Sequence, residues 1–239
     1  TSEDTRGLMS YHAKPDGCST CSLYQKGRSY GYDRVGDIPV HQADLSQVKL
    51  VAWLEALGHT EADKGLAIVG DSRFVLEKWC LPAVPELQLL NELGGILYAN
   101  CLRCWPPKYG ERNYPTGEDR TQAETCCRQY DTFPPQKCPI LLLGEYAQRL
   151  WFREELTTED REDQRLGRKV KGVDGRLGRV ESKDGRQWIF GPHPAYIMRS
   201  PEMIEHMHAV LTITADVVKG CWKPLESPYS HKLPPQGSI

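Results

Sequence analysis

Pro139-Ile140-Leu141-Leu142-Leu143-Gly144 decides the fold class. Four apolar residues in a row, stopped by glycine, are too few for a helix and leave no polar face. They suit a strand buried on both sides of a parallel sheet. Three other runs have the same character: Leu66 to Gly70, Ile96 to Asn100 and Trp188 to Gly191. Helical patterns separate them. Asp44 is placed to cap a helix in which Leu45, Val48, Val51, Ala52 and Leu57 recur at helical spacing before Gly58. Pro85 opens a second, with Leu87, Leu90 and Leu93 inward and Gly94 beyond its end. Ser200-Pro201 opens a third, running through Met203, Met207, Val210, Leu211 and Val217 to Gly220. This alternation predicts an α/β fold with a mainly parallel sheet.

The chain has 239 residues, enough for one large domain with appendages and a substantial core. Its 30 basic and 32 acidic residues leave a net charge of -2, so no global field draws it onto nucleic acid and any DNA contact must use a local patch. Arg165 to Arg186 holds eight basic and three acidic residues among glycines. That stretch reads either as a DNA-facing hairpin, with Arg168, Lys169 and Lys171 as contacts, or as solvated loop charge. No apolar run approaches the length that spans a bilayer, and Thr1 to Gly17 lacks the pattern of a secretory signal, so a cytoplasmic protein is expected. After Gly220 the prolines Pro224, Pro228, Pro234 and Pro235 suggest a tail or linker over residues 220–239.

Nine cysteines, an odd number in a long chain, argue for metal ligation or buried thiols rather than a secreted disulfide framework. Cys18-Ser19-Thr20-Cys21 is followed far downstream by Cys104, just ahead of Pro106-Pro107, and then by Cys126-Cys127. Four thiolates drawn from remote stretches suit an iron–sulfur cluster or tetrahedral zinc, and spacing alone leaves the two level. A lone C-x-x-C also fits a thioredoxin-type motif, but that motif follows a strand, and this pair precedes the first one. Cys80, Cys101, Cys138 and Cys221 read as small buried apolar residues.

Ligands of an open parallel sheet bind beyond the carboxyl ends of its strands. There the sequence sets Gly70-Asp71-Ser72, Asn100, Gly144-Glu145 and Gly191-Pro192-His193-Pro194. A carboxylate, an amide and an imidazole are thus expected around one crevice, with helix capping by Asp71 and a turn at Asn100 as the plainer reading of each. Prolines on both sides of His193 fix its backbone and aim its ring.

These stretches together resemble the family 4 uracil-DNA glycosylases, the iron–sulfur branch of that superfamily. The resemblance is carried by Cys18-x-x-Cys21-x-Leu23, by Asn100-Cys101-Leu102-Arg103-Cys104-Trp105-Pro106-Pro107, and by His193-Pro194-Ala195-Tyr196-Ile197-Met198-Arg199-Ser200-Pro201. Leu141-Leu142-Leu143-Gly144-Glu145-Tyr146-Ala147 is similar to the strand between the last two. It spans about Cys18 to Val218, implying a glycosylase-like domain over residues 1–219 with an insertion near 24–65. The fold implied is a three-layer α/β/α sandwich around a central, mainly parallel four-stranded sheet.

The resemblance implies a [4Fe-4S] cluster held by Cys18, Cys21, Cys104 and Cys126, with Cys127 as the alternative fourth ligand. It implies that Asn100 reads the edge of a flipped uracil and that His193 donates a hydrogen bond to the uracil oxygen as charge builds on the leaving base. Asp71 falls where the family has the Glu of a Gly-Glu-Ala-Pro-Gly loop, which makes it the carboxylate that positions water. Gly70 and Phe74 then border the base, and Arg199 meets DNA. The implied activity is hydrolysis of the N-glycosidic bond of uracil or a modified base in DNA, by a nucleoid-associated monomer. The alternative is a domain that keeps the fold and DNA binding without catalysis. Glycosylase-like domains of this family also occur fused to phage-type replicative polymerases, and the missing initial Met and proline-rich tail suit a piece excised from one. A zinc-stapled module unrelated to DNA is the third reading.

Overall fold

A computed structural model describes residues 45–56, 58, 60–61, 68–102, 137–144, 147–148, 150 and 178–220. Five strands form one sheet: β1 Leu50–Ala56, β2 Ile96–Leu102, β3 Ile140–Leu143, β4 Val180–Lys183 and β5 Arg186–Gly191. Their order is β2-β1-β3-β5-β4, parallel throughout except for β4, which pairs antiparallel with β5. The α/β class and the mainly parallel sheet agree with the sequence expectation. The expected strand number does not, because the described residues form five strands rather than four.

Two element assignments change with it. The helix expected over 45–57 is a short 3-10 turn, Leu45–Gln47, followed by β1, which lies inside the stretch counted as an insertion and is flanked on both sides by parallel partners. Leu50-Val51-Ala52-Trp53-Leu54 is apolar on both faces, and all five side chains are buried. A helix would have turned Leu50, Trp53 and Leu54 away from the stripe assigned to it. The run expected as a strand at Leu66 to Gly70 is not one where it is described: Ile68, Val69 and Gly70 form a bend, with Ile68 at φ 51°.

Alternate residues of the strands define the core. Leu50, Ala52 and Leu54 of β1 share a cluster with Ile96 and Tyr98 of β2, Leu141 and Leu143 of β3 and Ile189 of β5. Against this face lie α1 Asp71–Val75, a π-helical turn Leu76–Cys80, a 3-10 turn Leu81–Ala83, α2 Pro85–Glu92, α3 Pro194–Ile197 and α4 Met203–Val218. The opposite face is buried as well, as Val51, Trp53, Leu142 and Phe190 show. Burial on both faces explains why these strands read as unbroken apolar runs.

Helix ends follow their local chemistry. Pro85 occupies the first turn of α2, where its missing N–H costs nothing, and Gly94 takes the left-handed φ of 72° just past the end. Leu93, expected inward, caps the helix and is 69% exposed, since the helical stripe ends one residue earlier. The β4–β5 hairpin turns on Asp184-Gly185, at φ 54° and 71°, the two positive angles that match the twist of the strands it joins.

Candidate functional site

Strand order sets the crevice. The chain leaves β1 for β2 on one side and later enters β3 on the other, so the sheet has its switch point between the carboxyl ends of β1 and β3. Glu55, next to last in β1, stands there. A Cβ built on Gly144, the residue after β3, would come within 2.5 Å of Glu55 Oε1. Gly144 has φ 104°, so glycine is required for both its conformation and the space that the carboxylate fills.

One row of residues crosses the sheet at this end. Asn100 pairs with Leu54, and Leu143 with Gly191, while Trp53 opposite Leu142 brings the two pairs level. Asn100 lies two residues beyond Tyr98 and therefore on the same face, which is the face of α1 and α3. It is 4% exposed, and its Nδ2 finds no partner among the described residues. From Asn100 to Gly191 is three strand spacings, roughly 14 Å between backbones. Leu54 and Leu143, both buried in the core cluster, stand between them on this face.

His193 enters from the Gly191 end. It is the residue before α3, held extended at φ -71° and ψ 132°, with Pro194 opening the helix. The ring is half-buried. Burial pushes its pKa down to about 4, the Arg199 charge pushes the same way, and the Glu61 carboxylate opposes them. At neutral pH the imidazole is therefore uncharged, with one N–H to donate and one nitrogen to accept.

Glu61 itself is 8% exposed. Its Oε1 accepts the backbone N–H groups of Val69 at 3.2 Å and Gly70 at 3.0 Å. Gly58 and Gly70 give it room, since a Cβ at Gly58 would lie 2.5 Å from Oε2. This carboxylate pins the bend in which Ile68 adopts a left-handed φ that β-branched residues avoid.

The expected site residues divide. Asn100, two residues before the end of β2, and His193, two residues past β5, both lie toward the carboxyl edge of the sheet, and Gly70 is the residue before α1. Asp71 is the first residue of α1 and is exposed. Phe74 is 52% exposed and packs edge-on against Trp79, with 6.0 Å between ring centroids. Arg73 is drawn aside: its Nε donates to Glu77 Oε1 at 2.6 Å, and its guanidinium lies 4.7 Å from the centre of the Tyr98 ring. Burial opposes ionisation of Glu77, yet bonds from Arg73 and Asn91 and the guanidinium charge hold its pKa below the usual range. Tyr98 Oη donates to Asn91 Oδ1 at 2.9 Å, closing a network that ties α1 and α2 to β2. Arg199 is exposed beside the Tyr196 ring.

Glu55 and Glu61 escaped the sequence reading because the strand that precedes them was taken as a helix. The signal was present: an apolar run with the composition of a buried strand, followed at once by Glu55-Ala56-Leu57-Gly58. Gln148 also escaped it.

Cys18, Cys21, Cys104, Cys126 and Cys127 lie outside the described residues, as do Arg168, Lys169 and Lys171. Cys80, Cys101 and Cys138 are buried and form no disulfide. Burial pushes the Cys80 thiol up to about 12 and also raises that of Cys138. Neither offers a thiolate. Among the described residues no three His, Cys, Asp or Glu converge as a metal would need, and no helix is long and apolar enough to cross a membrane. A scan of the chain against protein-family models finds no match, and neither does a search of curated proteins.

Proposed function

We propose that this protein is a uracil-DNA glycosylase-like protein that binds DNA and hydrolyses the N-glycosidic bond of a flipped uracil or modified base. The observation that carries the reading is the buried Asn100 amide, without a partner for Nδ2 among the described residues, toward the same carboxyl edge of the sheet as a neutral His193. An amide that both donates and accepts is what an imide edge requires. Further support comes from Glu55 at the switch point: its side chain alternates with that of Leu54 and leaves the sheet on the face opposite Asn100, so the base of this reading sits over the carboxyl edge, between the two faces. With β1 at Leu50–Ala56, the residues Glu55-Ala56-Leu57-Gly58 resemble the Gly-Glu-Ala-Pro-Gly loop more closely than Gly70-Asp71-Ser72 does. The carboxylate of this reading is therefore Glu55 rather than the exposed Asp71.

The chemistry then runs as follows. A water oxygen bonds to C1′ while the C1′–N bond breaks, and its electron pair leaves with the base. Glu55 holds the water, takes its proton and offsets the positive charge on the sugar. His193 donates a hydrogen bond to the base oxygen on which negative charge develops. Asn100 holds the base edge.

A [4Fe-4S] cluster on Cys18, Cys21, Cys104 and Cys126 belongs to the same reading. Its donor chemistry suits thiolates, and the described cysteines, two of them with raised pKa, do not compete for that role. Held by these four residues, such a cluster would supply a structural link between remote stretches of the chain and no chemistry for the bond cleavage.

The test is a panel of oligonucleotides, single- and double-stranded, each with one uracil, hypoxanthine or modified pyrimidine, incubated with the full chain and then treated with alkali. Strand breakage at one of these bases is expected, reduced by about 10²-fold or more in Glu55→Gln. DNA binding with every base left intact would reject hydrolysis and favour a non-catalytic DNA-binding domain.

A further inference from the structure

The loop that delivers His193 hangs from one carbonyl. Gly191 O, at the end of β5, accepts the Gly144 N–H at 3.0 Å and the Gln148 Nε2 at 2.9 Å. Pro192 follows and has no N–H with which to extend the ladder. Gln148 lies just past β3, where its own N–H bonds Gly144 O at 3.2 Å, so its side chain reaches 43 residues along the sequence to a different strand.

Gln148 is 2% exposed, and its Oε1 is buried with no partner among the described residues. A methionine would fill the same space without a stranded acceptor. What glutamine adds there is the donor.

We propose that Gln148 is a positioning residue: its Nε2 holds the Gly191 carbonyl and so fixes the aim of His193 into the crevice. The proposal rests on the reading of His193 as the group that faces the base. Gln148 itself touches neither base nor water. Without the bond, the Pro192-His193 segment gains freedom and the ring turns toward solvent.

Charged groups of the described residues surround the ring. Glu61 and Arg199 act on it directly. Asp71 and Arg73 belong to α1, which packs against α3, and Glu205 and His206 lie exposed on the first turns of α4. None is altered in the variants below.

The experiment follows the titration of His193 by NMR in the full chain, its signal among the seven histidines identified by its loss in His193→Gln. Gln148→Met and Gln148→Leu both remove the donor without adding a charge. In each, the midpoint is expected to rise from its depressed value by about one pH unit or more, a tenfold gain in proton affinity, as the ring gains water. Thr214→Val loosens α4 by removing the buried bond from Thr214 Oγ1 to Val210 O and is expected to leave the midpoint where it was. An unchanged midpoint in the Gln148 variants, or an equal rise in Thr214→Val, overturns the proposal. If the methionine variant does not fold, the smaller leucine variant decides. The readout needs no DNA, so it stands apart from whether bases are cut.

Discussion

Asn100 buries an amide donor that bonds nothing among the described residues. A group kept at such a cost is worth testing for a role outside folding. Asn100→Leu is expected to leave stability unchanged or raise it by about 1 kcal/mol, because it removes an unsatisfied donor. The same change is expected to lower base excision by about 10²-fold or more, because the base edge then faces a side chain that cannot bond it. Thermal denaturation and single-turnover excision, measured side by side, check the two together. His193 gives a second prediction with a definite sign. Its folded-state pKa of about 4 lies below the ordinary 6.5, so the unfolded chain takes up a proton that the folded ring refuses. The stabilisation from a neutral ring is complete above pH 6.5 and is lost as pH falls from there toward 4. The thermal midpoint should fall across that interval, and His193→Gln should flatten the fall.

At the scale of elements, the carboxyl ends of β1 and β3 make the crevice, and Gly144 is the joint between them. Gly144→Ala places a methyl group against the Glu55 carboxylate on a backbone at φ 104°. A loss of about 1–3 kcal/mol is expected from strain, with the carboxylate displaced and excision lost beyond what instability explains. Comparing excision well below the thermal midpoint separates the two effects. Elements with a single periodicity were legible in the sequence: Ile140–Leu143, Arg186–Gly191 at its apolar end, and Met203–Val218 with glycine after it. Leu50–Ala56 was not, since Leu45, Val48, Val51 and Ala52 satisfy helical spacing while Leu50 to Leu54 satisfies a buried strand. Only pairing with Ile96–Leu102 and Ile140–Leu143 chooses between them. Leu66 to Gly70 misled for the opposite reason. Its composition is that of a strand, but the Glu61 carboxylate captures the N–H groups of Val69 and Gly70, two bonds that local composition does not reveal. Asp184-Gly185 was a legible turn that went unread.

For the whole molecule, the candidate site was half legible. His193 follows a strand end that the sequence located, Asn100 lies two residues inside a strand whose end the sequence placed too early, and Glu55 depended on a strand that it did not locate. The proposed cluster extends the same logic, tying residues near the amino terminus to the chain just beyond β2. Anaerobically purified protein is expected to contain about four iron and four labile sulfide per chain. Zinc without sulfide would replace the cluster by a structural metal. The most direct measurement of all is the free base itself, detected by mass spectrometry after a single turnover on DNA containing one uracil or modified base. Wild-type protein is expected to release the base and leave an abasic site, with Glu55→Gln releasing none in the same time. Folded, iron-loaded protein that binds the DNA and releases no base from any of these substrates would contradict it.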